Sequence, residues 1–143
     1  MITAAELVGP RLLDELAEQR DGIVATALDD CGLPDRETAA QGLLAFSQWF
    51  FALADAGPGE RLVMLKGPVD QMWHALILHT RLYRELCDRH LGFFLEHQPQ
   101  PGLPPRAWVA DTLRILTRRY GDELHPYFDD WLAGPSSPYL IKE

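Results

Sequence analysis

Between Pro68 and His79 the chain is apolar around its whole circumference. At about 100° per residue, Val69, Met72, Trp73, Leu76 and Ile77 share one broad face, and Ala75 and Leu78 make the opposite side apolar as well. A helix of that kind has no face to give to water, so other elements must surround it. Its start is marked by Gly67 and Pro68, with Pro suited to the first helical position and Asp70 placed to meet the positive end of the helix dipole. The segment is expected to run to about His79.

The rest of the chain supplies helices to do the surrounding. Thr3 and Glu6 have capping-box spacing, and helix-forming residues continue from Leu12 to about Leu28, broken by Gly22 and ended by "DDCGLPD". From Arg36 to Ala56, Leu43, Phe46, Phe50 and Leu53 recur at helical spacing beside Trp49, and "AGPGE" closes the segment with a turn. "RLVMLKGP" is apolar but brief, and a loop is the favoured reading over a short strand. Thr80 can cap the next helix, on which Leu82, Tyr83, Leu86, Cys87, His90 and Leu91 form one stripe that Gly92 terminates. After the proline-rich connector "QPQPGLPP", a helix is expected over Arg106 to Tyr120, with Trp108, Val109, Leu113 and Leu116 apolar, stopped by Gly121. A last short helix is expected over Asp122 to Leu132, ended by Gly134 and Pro135. No repeat and no strand pair is visible. The expectation is an all-α fold, a compact single-domain bundle of about six helices over residues 1–143, with its signature region at 68–99.

Charge narrows the function. Thirteen Lys and Arg stand against twenty-one Asp and Glu, a formal charge of −8. Binding nucleic acid needs clustered cations, and the nearest approach to a patch, Arg114, Arg118 and Arg119, reads as a solvated helix face. No run approaches the roughly 18 apolar residues of a membrane span, and the N-terminus lacks the pattern of a leader. With only Cys31 and Cys87 available, a disulfide framework is not expected, which suits a cytoplasmic setting. Any partner is then expected to be another protein.

Four of the five histidines and one of the two cysteines fall between Val69 and Pro99, among bulky apolar residues. Asp70 and His74 lie one turn apart, and a polar group held in apolar surroundings needs a partner, since burial without one costs at least about 1–3 kcal/mol. His74, Cys87 and His97, with Asp70 as ligand or outer support, match zinc or another divalent metal in ligand type. The spacing is not a standard metal motif. The same residues also fit a structural network: His74 hydrogen-bonded to Asp70 or a backbone carbonyl, Cys87 packed as a small hydrophobe, and His90 and His125 exposed, His125 starting a helix beside Pro126. A nucleophilic reading, with Cys87 as thiolate, an imidazole as base and Asp70 orienting it, requires only that a bundle bring them together. Neither a Gly-rich phosphate loop nor a GxSxG elbow is present. Two functions follow: a domain binding a divalent metal, structural if closed and hydrolytic if a position stays open, or a metal-free protein-interaction module with an acidic surface.

The pattern formed by Asp70, Trp73, His74, His79, Thr80, Arg81, Tyr83, Cys87, Gly92, His97 and Pro99 resembles the glycine-rich-domain-containing protein-like family. Thr112 or Thr117, Tyr120 and Trp131 can fill its C-terminal positions. The resemblance implies an all-α domain in which Asp70, Trp73, His74, Cys87 and His97 belong to one signature, and it implies no reaction. The glycine-rich extension of the name has no counterpart, because the eleven glycines are not clustered.

Overall fold

The computed structural model describes Leu16 and residues 18–97 and 104–132. Five α-helices and three 3-10 segments make up the regular structure of these residues, and there is no strand among them. The helices are α1 (Arg20–Asp30), α2 (Arg36–Ala52), α3 (Pro68–Leu78), α4 (Thr80–His90) and α5 (Arg106–Tyr120). The capping box at Thr3 and the stop at Gly134 and Pro135 lie outside the described residues. No helix among them is long and apolar enough to cross a membrane.

Helix α3 is the hub, packed on α1, α2 and α4, while α5 packs on α2. Val69, Met72, Trp73, Ala75 and Leu76 are buried there, as its apolar content demands. The all-round burial expected of it is not complete, however. The three helices packed on it leave the stripe through His74 and Leu78 facing solvent, with Leu78 58% exposed. Gly22 does not break α1, whose buried side is Ile23, Val24 and Ala27; one glycine costs only about 1 kcal/mol, and packing outweighs it. Thr80 is the first residue of α4 and His79 occupies the capping position, without a side-chain bond. At the far end Gly92, at φ +80°, takes the left-handed turn and donates to the Cys87 carbonyl.

Helices α2 and α3 cross almost backbone to backbone at Gly42. A β-carbon there would lie 2.8 Å from Met72 Cγ and 3.1 Å from the Pro68 carbonyl oxygen. Gly42→Ala is therefore expected to destabilise the fold by about 1–2 kcal/mol in chemical denaturation, because overpacking outweighs the gain in helix propensity. Asp35 caps α2 by accepting from the Thr38 amide at 2.7 Å, and these hydrogen bonds hold its carboxyl below the usual range. Beyond Gly42, Phe46, Trp49 and Phe50 fill the centre, with Trp49 and Trp73 rings 4.8 Å apart.

The apolar stretch after "AGPGE" is extended loop, as expected, and two side chains fix it. Val63 donates its amide to Thr112 Oγ1 of α5 at 2.8 Å, and its carbonyl accepts the Trp49 indole N–H of α2 at 2.9 Å. Arg118 and Arg119 pair with Glu60 and Asp55, and Arg114 with Asp111, so these three cations are neutralised locally.

The C-terminal helix expected over 122–132 is two 3-10 pieces, Gly121–Glu123 and Pro126–Leu132, separated at His125. His125 is buried rather than exposed. Its Nδ1 accepts the Tyr127 amide at 3.1 Å and its Nε2 donates to Gln41 Oε1 at 2.8 Å, which requires the neutral ring. Gln48 completes this network, accepting the His125 amide and donating to the Glu123 carbonyl. Burial pushes the His125 imidazole below its ordinary value, with Asp129 opposing in part. The neutral ring then favours the fold fully above the ordinary histidine value near 6.5, and that advantage is lost as pH falls toward and through the lowered one. Melting curves between pH 7 and 5 are expected to fall more steeply for the native chain than for His125→Asn.

Candidate metal centre

Asp70 sits in the first turn of α3 and His74 one turn later on the same side, a spacing of four residues that any α-helix places in register. His97 comes from elsewhere. It lies in the extended segment beyond Gly92, 27 residues from Asp70 in the chain. That segment is held by a relay of hydrogen bonds: the Trp73 indole N–H donates to the Tyr83 hydroxyl at 3.0 Å, and the hydroxyl donates to the Leu95 carbonyl at 2.5 Å. Burial pushes the Tyr83 phenol well above its ordinary value, so it remains a neutral donor. The His97 ring then rests beside Trp73, with ring centroids 4.2 Å apart.

The result is a convergence of two imidazole nitrogens on the two oxygens of one carboxylate. His74 Nε2 and His97 Nε2 are 2.8 Å apart, His97 Nε2 is 3.0 Å from Asp70 Oδ1, and His74 Nε2 is 3.7 Å from Asp70 Oδ2. One N–H on His97 can point at His74 or at Asp70, so a single proton cannot serve all three contacts. Asp70, His74 and His97 form a group that could hold a metal ion. Adjacent ligands on a metal with bonds of about 2.0–2.1 Å stand roughly 2.9–3.4 Å apart; the 3.0 Å separation falls in that range, and those of 2.8 Å and 3.7 Å lie to either side of it. Access is one-sided: the Asp70 and His97 side chains are 13% and 19% exposed, and that of His74 is 45%. His74 is thus a rim residue and not the core histidine that its apolar neighbours suggested.

Cys87 stands outside this group. It is fully buried on α4, on the side of that helix that carries Tyr83 and Leu86 into the core, and it serves there as packing. The thiolate, base and orienting carboxylate of the nucleophilic reading are therefore not brought together. His79 is also elsewhere, accepted at 2.9 Å by the Thr26 hydroxyl, which donates its own proton to the Gly22 carbonyl; it ties the α3–α4 junction to α1. His90 packs edge-on against Phe51.

Tyr83 was not among the candidates for the site, yet it positions the loop that carries His97. Its place one turn from Cys87 on a buried stripe, within the same pattern as the site residues, was the signal that could have found it. Tyr83→Phe leaves the Trp73 N–H and the Leu95 carbonyl without this partner, and is expected to cost about 1–3 kcal/mol in denaturation while loosening His97.

A family model described as UCP032817-like matches residues 23–121, from α1 to the end of α5, well over half of the chain and all of the site. No curated protein and no solved structure matches. The resemblance to a glycine-rich-domain-containing family is thereby corrected, since no such family is indicated: a short pattern of Trp, His, Cys and Gly on packed helices was too small a sample of the chain to identify it.

Proposed function

The chain belongs to the uncharacterised UCP032817-like family, and on that footing we propose that its function is carried by one divalent metal ion held by Asp70, His74 and His97. The observation that carries this reading is the meeting of two imidazole nitrogens and a carboxylate at separations close to those between neighbouring ligands of one cation, which one shared proton does not satisfy. Two imidazoles and one carboxylate suit zinc or ferrous iron. Three protein ligands with an accessible side leave a coordination position for water or a ligand, which favours a working centre over a closed structural one. When bound, the ion supplies Lewis acidity there, and the chain orients it: Asp70 through the first turn of α3, His97 through the Tyr83 relay.

The test is elemental analysis of untagged protein, followed by calorimetric titration of the chelated chain with Zn2+ and Fe2+. Near-stoichiometric binding supports the reading. A chain that takes up neither ion returns the three residues to a hydrogen-bond network and the domain to a protein-interaction role.

A further inference from the structure

We infer that the open position of this centre receives a monocarboxylate with an apolar body, an inference that rests on the metal reading above. The apolar half of the argument comes from exposure. Among the described residues the exposed large hydrophobic side chains are Leu78, Phe93 and Phe94, at 58%, 53% and 49%. All three fall on the two segments that build the site. Leu78 is one turn beyond His74 on the same side of α3, so it extends the stripe that begins at Asp70. Phe93 and Phe94 belong to the segment that leads into His97, and Phe94 is fixed there, its ring edge-on to Tyr83 at 5.4 Å between centroids. Tyr83 holds the Trp73 indole, and Trp73 lies against His97, so Phe94 reaches the centre through two intervening rings. Among the described residues, this acidic chain leaves its large exposed hydrophobic side chains on the two segments that also build the site, as a surface that holds something apolar would.

The polar half comes from charge. Two neutral imidazoles and one carboxylate leave a divalent ion with a net charge of +1, which one monoanionic oxygen ligand neutralises. The head group binds the ion beside His74, the exposed ligand, and the tail runs over Leu78 or Phe94.

The probe is the whole chain loaded with Co2+, whose visible bands report its ligands, titrated with acetate, butyrate, hexanoate and octanoate. The inference expects the bands to shift with each acid and Kd to tighten by about two- to fourfold per added methylene, the upper figure being full burial. Whichever of Phe94→Ser and Leu78→Ser removes the side chain that the tail crosses should flatten that series, and both should leave acetate unchanged. Leu78 is exposed enough that its variant keeps the fold even if Phe94→Ser does not. Equal affinity for all four acids, or a series indifferent to both variants, overturns the inference while leaving the metal in place. If Co2+ produces no bound spectrum at all, the metal reading has failed, and the ligand goes with it.

Discussion

His97→Ala is expected to weaken binding of Zn2+ by roughly a hundredfold or more. Losing a residue that only supports a metal ligand typically costs about 10–100-fold, and His97 is the ligand that faces both of the others. With it gone, Asp70 and His74 remain as a two-atom contact at 3.7 Å on one helix. The measurement is calorimetric titration of the chelated protein, with melting temperature beside it. Because His97 lies in a loop and is not part of the buried core, the metal-free variant should melt within about 3 °C of the native chain. Loss of binding with the fold retained is the signature of a ligand. Unchanged affinity would remove His97 from the centre, and a large drop in melting temperature would make it a structural residue instead.

Trp49→Ala carries the largest expected cost to the fold. Its side chain is 2% exposed, its ring packs on Trp73 and Phe46, and its indole N–H is the donor that holds the Val63 carbonyl. Truncation of a buried tryptophan costs about 3–5 kcal/mol, a large part of the roughly 5–15 kcal/mol that holds a domain together. A fall in melting temperature of roughly 10–15 °C should follow. Trp49→Phe separates the contributions: it keeps most of the packing and strands the Val63 carbonyl, so a loss of only about 1–3 kcal/mol is expected. A Trp49→Ala variant as stable as the native chain would mean that α2, α3 and the 61–65 loop do not meet at this ring.

The helical class was legible because apolar spacing and terminators agree along most of the chain. Pro68 and Gly121 bound their helices where their backbone preferences place them, and Arg106–Tyr120 and the loop through Val63 were both read correctly. What failed were judgements that depend on neighbours. The composition of α3 says that much of it is buried, but not that the surrounding helices leave the His74–Leu78 stripe uncovered. His125 looked like a surface helix-start residue, and its role in starting the 3-10 turn was right; the burial came from Gln41 and Gln48, more than seventy residues away. Within the site, Asp70, His74 and His97 were recognisable as ligand types, and the i, i+4 pair as neighbours. Cys87 was equally attractive on chemistry alone. Only the packing of α4, which sends Cys87 inward with Tyr83, separates it from the two imidazoles. Thr112 was passed over as a family position, although a lone hydroxyl three residues after Val109 and four before Leu116 shares their buried side and needs a backbone partner.

The distance along the chain between Asp70 and His97 has a topological meaning. Both ends of that 27-residue stretch meet at one point, and the stretch contains the rest of α3, all of α4 and the turn at Gly92. An ion that grips both ends ties the helical hairpin into a ring. In a denatured chain that keeps the tie, a ring of this size removes configurational entropy worth about 3.5 kcal/mol on the chain-entropy account used for covalent cross-links. The ion would then act as a reversible staple, and the hairpin should be the part of the molecule whose amide protons respond first, in hydrogen exchange, when a chelator is added.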